Sequence, residues 1–355
     1  MIKKVAKIFL VILLIVGSLG LKSYYDSGGF KTINNHFDGK MQKISGLVGV
    51  EDITIDPTTG ITFLSSEDRW AKTIDKKPTK GTIYTLNLND SILTPLSKTS
   101  DFSADNFHPH GISLYQTSEG KKLLFVINHL EPEGHQIEIF EYKNDSLQHR
   151  ETIKDPLLVS PNDIVAVSEH SFYVTNDHNE KLSKMRTAKD IAQIGTGNIC
   201  YFDGQKMQKT GIEGLKYANG INKTADGAKI FVAETTAKRI RIFDRNITTG
   251  ALTQEDEINT NTGVDNIEVD TEGSLWVGCH PQMLKFMGHS KDENKPSPSE
   301  IIKIRRLGKG KYEQTTVYMN DGSEISASSV GAFYKDKLLV GGVFQRHFLV
   351  GRLKM

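Results

Sequence analysis

The sequence predicts an all-β fold, a six-bladed β-propeller, preceded by an N-terminal hydrophobic signal-anchor helix. Six segments share one pattern: a polar start, an alternating apolar strand, a turn and a second apolar strand. They begin at Glu51, His110, Asn162, Asn219, Asp265 and Ser328. Adjacent starts are separated by between 46 residues (Asn219 to Asp265) and 63 residues (Asp265 to Ser328). Hairpin units that recur about every 50 residues are typical of four-stranded propeller blades.

The strands and turns within each segment have the composition that hairpins need. The strands are rich in Val, Ile, Phe and Tyr with period-two alternation, and the turns contain Asp and Gly, as at Asp226–Gly227. One short helix is expected near Lys184–Ile194. A β-sandwich would explain the strands, but it would not explain their sixfold recurrence.

Composition excludes several classes of function. The chain has 355 residues, with 44 Lys and Arg against 43 Asp and Glu, so its net charge of +1 gives no electrostatic reason for nucleic-acid binding. The two cysteines, Cys200 and Cys279, are far apart, which excludes Cys-x-x-Cys zinc and redox motifs. The sequence also contains no Gly-x-Ser-x-Gly, so a serine esterase is unsupported.

The N-terminus differs in composition from the rest. Lys3, Lys4 and Lys7 precede an apolar run over Ile8–Leu21, the pattern of a signal sequence or signal anchor. The lysines should stay inside, so both alternatives place the rest of the chain outside the cytoplasm. A retained membrane anchor is favoured over cleavage, although a small-x-small pattern occurs at Ser18–Gly20. We therefore predict a signal or anchor segment over 1–24, a connector over 25–45 and a propeller hydrolase domain over 46–355.

Each repeat opens with a polar pair at the start of its predicted innermost strand. The pairs are Glu51–Asp52, His110–Gly111, Asn162–Asp163, Asn219–Gly220, Asp265–Asn266 and Ser328–Ser329. Equivalent positions in six blades surround one axis, where unneutralised carboxylates would repel one another. Calcium takes 6–8 oxygen ligands from carboxylates, amide carbonyls and water, whereas zinc prefers His or Cys and magnesium keeps more water. Any single pair would ordinarily be a turn, but their shared register predicts a calcium site in the central channel.

At these residues the sequence resembles the serum paraoxonase/arylesterase family. The motifs are GVEDITI, HPHGIS, VINH, PNDIVAV, YVTNDH, YANGIN, VDNIEVD and LWVGCHP, which occur in family order between Gly49 and Phe348. The resemblance implies two calcium ions in the channel. The catalytic ion would be held by Glu51, Asn162, Asn219, Asp265 and Asn266. The deeper, structural ion would be held by Asp52, Asp163 and the backbone carbonyl of Ile112.

The resemblance further implies hydrolysis of lactones and aryl esters. His110 and His129 match the family's histidine dyad, which activates water while calcium polarises the carbonyl. Taken alone, each would more often be a structural histidine. His178 and His280 are expected to line the channel mouth, and Asp177 to orient a histidine. Cys279 is expected to be a packing residue.

Two departures from the family are visible. The family's disulfide between the segment before blade one and the last strand is absent, since 25–50 contain no cysteine and Val350 occupies the other position. The propeller is therefore expected to close by strand pairing alone. Among the wall positions implied by the resemblance (Asp68, Trp70, Tyr217 and Ser329), Asp68 replaces an apolar residue, which would disfavour aromatic esters and phosphotriesters.

Two alternative functions remain open at this point. A gluconolactonase-like sugar lactonase would need more polar walls, and Asp68 is a hint of this. A non-catalytic propeller that binds a ligand or protein on its face would be expected to have lost some of the polar pairs that open the six repeats. Here this ring of polar pairs (the polar ring) is complete.

Overall fold

The fold was analysed in a computed structural model, which describes residues 2–99, 102, 106–130, 134–180 and 184–354. The side chains of Ile2, Lys3, Ala6 and Lys184 are not among those described. Three parts of the predicted segments therefore lie outside the described residues. They are Met1, Met355 and the side chain of Lys3 in the predicted anchor.

A long apolar helix precedes the propeller. Helix α1 (Ile2–Asp26) presents its described apolar side chains to solvent, and its segment Lys7–Asp26 is long and apolar enough to cross a membrane. Signal sequences near an N-terminus share this property. The next segment docks on the propeller: the carbonyl of Ser27 accepts a 2.9 Å hydrogen bond from the amide of Met283, and Lys31 pairs with buried Glu300 at 2.7 Å. The predicted N-terminal helix is confirmed.

Twenty-five strands and three short helices follow α1 in the described residues. Two strands precede the blades: β1 (His36–Phe37) and β2 (Met41–Ser45). Blade one contains β3 (Val50–Ile55), β4 (Ile61–Ser66), β5 (Thr82–Asn87) and β6 (Leu96–Ser97), with helix α2 (Arg69–Thr73) between β4 and β5. Blade two contains β7 (Pro109–Gln116), β8 (Lys122–Asn128), β9 (Gln136–Lys143) and β10 (Ser146–Lys154). Blade three contains β11 (Pro161–Ala166), β12 (Phe172–Asn176), β13 (Gly197–Phe202) and β14 (Met207–Leu215), with helix α3 (Lys184–Ile191) between β12 and β13.

The remaining blades follow the same order. Blade four contains β15 (Ala218–Lys223), β16 (Lys229–Glu234), β17 (Arg239–Arg245) and β18 (Leu252–Asn259). Blade five contains β19 (Gly263–Val269), β20 (Leu275–His280), β21 (Ser299–Gly308) and β22 (Lys311–Asn320), with helix α4 (Met283–His289) after β20 and β1 added outside β22. Blade six contains β23 (Ser328–Tyr334), β24 (Lys337–Gly342), β25 (His347–Arg352) and β2. The six-bladed propeller is confirmed.

The ring closes through strands from opposite ends of the chain. Strand β2 pairs antiparallel with β25, so that Gln42 faces Val350, and β23 contacts β3 to join blade six to blade one. Closure thus occurs by strand pairing, as expected for a chain without the family's disulfide. The predicted connector over 25–45 consequently includes strands β1 and β2, which pair with blades five and six, so pairing with the propeller begins at His36, ahead of the predicted start at 46. Strand β2 pairs with β25, which lies some 300 residues later in the chain. A sequence pattern within one segment does not reveal such a distant pairing.

Every innermost strand has an irregular register near its N-terminal end. The shifts lie between Val50 and Asp52, Pro109 and Ile112, Pro161 and Ile164, Ala218 and Ile221, Val264 and Ile267, and Ser328 and Val330. A β-bulge interrupts the alternation of side chains and re-aims them locally. The polar pairs of the repeats therefore lie at six equivalent bulges around the axis, while the apolar residues that follow them pack between blades.

Candidate metal centre and active site

The predicted ligands of the catalytic ion lie together, buried at the centre of the propeller. Among them, Glu51 Oε2 and the Oδ1 atoms of Asn162, Asn219 and Asn266 are buried and lack a hydrogen-bond partner among the described residues. Leaving a buried polar atom unpaired costs roughly 1–3 kcal/mol, and native structures contain few such atoms. Four of the five residues predicted to bind the catalytic ion carry such an oxygen, which is the arrangement that a cation site needs.

Hydrogen bonds from the side-chain nitrogens of Asn266 and Asn219 orient two of these oxygens. Asn266 Nδ2 donates to the backbone oxygen and to Oε1 of Glu51, both at 3.0 Å. Since those atoms only accept, the amide nitrogen must face them and Oδ1 must face away. Asn219 Nδ2 donates to Thr235 Oγ1 at 3.0 Å, which leaves its Oδ1 without a partner.

The remaining predicted ligand, Asp265, is held by a histidine. Its Oδ2 lies 2.8 Å from His280 Nε2, and the His280 ring stacks on Phe286 with the ring centroids 4.0 Å apart. Ser329 also contributes, by donating its hydroxyl to the Glu51 carbonyl at 2.6 Å. His280 and Ser329, expected from the sequence as channel-mouth and wall residues, thus contact the ligand set directly.

The predicted residues of the deeper ion also meet near the axis. Asp52 accepts amide hydrogen bonds from Ile53 and Ile112 at 2.9 and 2.7 Å. Asp163 accepts from Ile164 and Ile221, both at 2.7 Å. The contact of Ile112 is thus through its N–H, and the role of its carbonyl as a ligand stays a prediction.

Glycines allow the neighbouring inner strands to approach each other at the axis. A Cβ atom on Gly111 would lie 2.6 Å from Asp163 Oδ1, and one on Gly220 would lie 2.4 Å from the Asp265 carbonyl oxygen. These glycines follow His110 and Asn219 in two of the polar pairs. They are required because the neighbouring strand occupies the space that a side chain would need.

Four carboxyl groups are concentrated in this buried volume. Burial raises the pKa of Glu51 and Asp265, an effect that Arg69 opposes at Glu51 and His280 opposes at Asp265. Burial raises the pKa of Asp52 and Asp163 far more, and the charges of Glu51 on Asp52 and of Asp52 on Asp163 add to it. Burying several negative charges is unfavourable unless a cation neutralises them.

This donor set fits calcium. It consists of carboxylate and amide oxygens, which calcium prefers. No group of three or more His, Cys, Asp or Glu side chains arranged to hold a metal occurs in the described part of the chain. Three of the five predicted ligands of the catalytic ion are asparagines, whose amide oxygens calcium accepts and zinc sites rarely use.

The predicted histidine dyad lies beside the ligands. His110 Nε2 is 3.8 Å from Glu51 Oε1, and the rings of His110 and His129 meet edge to face with centroids 4.8 Å apart. Burial, with the charge of Arg69 adding to it, lowers the pKa of His110 to about 3. Burial also lowers the pKa of His129 well below its ordinary value, and the neighbouring His110 and His135 add to this lowering. Both rings are therefore neutral at physiological pH, the form in which an imidazole can accept a proton.

Sequence reasoning missed two residues beside the dyad. Arg69 Nη2 lies 3.4 Å from His110 Nδ1 and donates to the Pro109 carbonyl at 3.1 Å. His135 Nδ1 lies 3.0 Å from His129 Nδ1. The register of the β8–β9 hairpin, in which Asn128 faces Gln136, could have identified His135, because it places 129 opposite 135.

Two cavities meet at the site and share His110, Asn162 and Tyr217 in their walls. The smaller, of about 270 Å³, reaches Glu51, Asn219, Asp265 and His280. Its apolar wall is formed by Ile191, Met283, Leu284, Phe286, Met287 and Val343, and the end of α1 also lines it. The larger, of about 1050 Å³, is lined by His129, His135 and the cations Arg69, Lys72, Lys154 and Arg186.

Other expected wall and mouth residues have different surroundings. Asp68 caps α2 by accepting from the Ala71 amide at 3.0 Å and pairs with Arg346 at 3.4 Å. Trp70 is buried and stacks on Phe344 with ring centroids 5.2 Å apart. Neither Asp68 nor Trp70 lines either cavity among the described residues, so the polar wall expected from Asp68 is absent.

His178 and Asp177 form a buried cluster under α3, beside the larger cavity that Asp177 and Arg186 also line. The imidazole of His178 contacts Asp177 at 3.0 Å and Asp190 at 2.9 Å, and Arg186 contacts Asp177 at 2.8 Å. Burial lowers the pKa of His178, but the bonds to the two carboxylates outweigh it and raise the pKa to about 9. Asp177 thus orients a histidine, as expected, but that histidine is His178 and not a member of the dyad.

Cys279 behaves as a packing residue. It is fully buried in the apolar cluster of blades four and five, and its Sγ lies 3.5 Å from the Val277 carbonyl. Burial raises the pKa of its thiol well above the ordinary value. A thiol that stays protonated is a poor nucleophile.

Comparison with known proteins shows the family of this chain. The family model described as Arylesterase matches residues 37–351. The chain belongs to the arylesterase family. It is 33% identical over 305 residues to serum paraoxonase/arylesterase 1 of Homo sapiens, and 35% identical over 304 residues to serum paraoxonase/arylesterase 2 of Rattus norvegicus. Each alignment covers 84% of both chains.

Similar folds also occur at low sequence identity. A solved structure of a luciferin-regenerating enzyme matches 89% of this chain and 95% of its own, with a TM-score of 0.53 and 15% identity. At that identity the likeness concerns the fold alone. The family match and the curated relatives support a hydrolase of the esterase class for this arylesterase-family chain.

Proposed function

We propose that this protein is a calcium-dependent hydrolase of lactones and aryl esters. The observation that carries the proposal is the set of four buried, unpartnered oxygens beside His110, on residues predicted to bind calcium. In this proposal Glu51, Asn162, Asn219, Asp265 and Asn266 hold a catalytic calcium. Asp52, Asp163 and the Ile112 carbonyl hold a second, structural calcium.

The roles of the side chains follow from their surroundings. When bound, calcium would polarise the substrate carbonyl and stabilise the negative charge that develops on its oxygen. His110, neutral because it is buried beside Arg69, accepts the proton of the attacking water. His129 packs edge to face against His110 and orients that ring. His280 holds Asp265 in place through its Nε2.

The smaller cavity supports apolar esters or lactones over sugar lactones. Its wall near the ligands is formed by Met, Leu, Ile and Phe side chains of α3 and α4. Asp68, the residue that suggested a polar sugar site, faces Arg346 and the end of α2 instead. The gluconolactonase-like alternative thus loses the residue that suggested it. A non-catalytic propeller would not be expected to keep an intact set of unpartnered oxygens beside two neutral histidines.

A substrate screen tests the proposal. Aliphatic lactones, phenyl acetate and a phosphotriester are offered to the purified protein with calcium, with a chelator, and after calcium is restored. We expect hydrolysis of lactones and aryl esters that disappears on chelation and returns with calcium. Full activity in protein shown to be metal-free by elemental analysis would contradict the proposal, and hydrolysis of sugar lactones alone would favour the gluconolactonase-like alternative.

We further propose that the hydrolase domain lies outside the cytoplasm and is tethered to the membrane by an uncleaved α1. Lys4 and Lys7 define the inner end, and the exposed apolar segment Lys7–Asp26 is long enough to span. We expect the intact mass of the natively expressed protein to include this segment and the protein to fractionate with membranes. A mature N-terminus near Leu21 would exclude the anchor, though not export.

A further inference from the structure

A third histidine lies against the proposed dyad on the side away from the ligands. Strands β8 and β9 end their pairing at Asn128 and Gln136, so the next residues, His129 and His135, face each other at the loop end of the hairpin. Their Nδ1 atoms are 3.0 Å apart, and their rings meet at 84° with centroids 4.7 Å apart. At that distance one Nδ1 carries the hydrogen and the other accepts it.

The three imidazoles form a continuous row from the axis towards solvent. His110 lies 3.8 Å from Glu51, the ring of His129 contacts that of His110, and His129 is bonded to His135. All three rings line the cavity of about 1050 Å³, which is large enough to hold many water molecules. His135 is the member farthest along the row from the ligands.

Hydrolysis requires a route for protons away from the axis. Cleavage of an ester or lactone by water yields an alcohol and a carboxylic acid, and at neutral pH the acid ionises, so each turnover releases one proton. The ring that accepts this proton must lose it before the next turnover. The row of three imidazoles leads from His110 to the larger cavity, and this is the route that the geometry offers.

We propose that His135 is a positioning residue that orients His129 and exchanges the dyad's proton with solvent in the larger cavity. This inference rests on the proposed function. The O–H bond of the attacking water breaks as an N–H bond forms on His110, and the water oxygen bonds to the carbonyl carbon. When the C–O bond to the leaving alcohol breaks, the leaving oxygen takes the second proton of that water, so the carboxylate is released and the proton on His110 is the one left over. That proton passes to His129 through water in the larger cavity, which both rings line. The hydrogen of the Nδ1–Nδ1 bond then shifts to His135, which releases a proton to water in the cavity. No oxidant or other reactant is needed.

Removal of the ring by His135→Ala tests this relay. We expect kcat for lactones to fall about tenfold, less than the roughly 10²–10⁴-fold effect of losing a general base. KM and calcium affinity, measured by titration calorimetry, should not change. Imidazole added to the assay should raise kcat of His135→Ala saturably, because the open cavity admits it, and should leave the wild type and the exposed-histidine control His170→Ala unaffected.

His135→Gln separates proton exchange from orientation. Its amide can still bond to His129 but does not exchange protons, so we expect it to stay as slow as His135→Ala. Wild-type kcat in either variant, or no response of His135→Ala to imidazole, would overturn the relay. If His135→Ala does not fold, the rate of His135→Gln decides alone.

The dyad variants distinguish failure of the relay from failure of the proposed function. Wild-type lactone hydrolysis by His110→Gln and His129→Gln would remove the dyad, and the relay with it. Impaired hydrolysis in those two variants, together with full activity in His135→Ala, would remove only the relay.

Discussion

Replacing Asn162 or Asp265 by alanine should reduce hydrolysis of lactones and aryl esters by more than about 100-fold, since even residues that only support metal ligands cost 10–100-fold when lost. Asn162→Ala removes one of the buried oxygens without a partner. Asp265→Ala removes a carboxylate and leaves His280 without its acceptor. The measurements are kcat/KM at saturating calcium and the dependence of the melting temperature on calcium.

Two control variants show whether the loss arises from the metal site. Asn320 is also a buried asparagine, but its Oδ1 accepts amides of Gly322 and Glu324, so Asn320→Ala should lower stability equally with and without calcium. Cys279→Ala should retain activity, because the thiol only packs. If Cys279→Ala is folded and calcium-replete but inactive, the thiol takes part in the reaction. A full calcium-dependent rise in melting temperature in Asn162→Ala would remove that residue from the ligands.

His110→Gln should lower kcat/KM for lactones by roughly 10²–10⁴-fold, the range typical of a lost general base. Calcium affinity should barely change, because His110 is not among the predicted ligands. Aryl esters with good leaving groups should be less affected, since polarisation of their carbonyl contributes more to the rate than activation of water does.

The comparison requires matched calcium occupancy and a surface control. Wild type, His110→Gln and the exposed His170→Gln are assayed with one lactone and one aryl ester. Equal losses for both substrates would indicate damage to the site as a whole. An unchanged lactone rate would remove His110 from the mechanism and direct the search for the base to His129 or His280.

The sequence by itself determined the number of blades and the position of the polar ring. Each blade is built from hairpins whose apolar alternation and turn residues, such as Asp226–Gly227, are local, so they are readable within about 20 residues. Because the repeats share one register, the polar pair at the start of each had to meet at the axis. The short helix expected near Lys184–Ile194 is likewise present as α3 (Lys184–Ile191).

Only the tertiary structure decided the contacts between distant segments. Strand β2 could not be recognised in the predicted connector because its partner, β25, lies at the other end of the chain. Asp68 was expected in the wall, but Arg346 and the amide at Ala71 hold it elsewhere. The unpartnered oxygen of Asn266 depends on a bond to Glu51 across 215 residues. Strand patterns and turns are set by neighbours in sequence. The direction of a buried amide is set by the groups that contact it after the propeller has closed, and these come from distant parts of the chain.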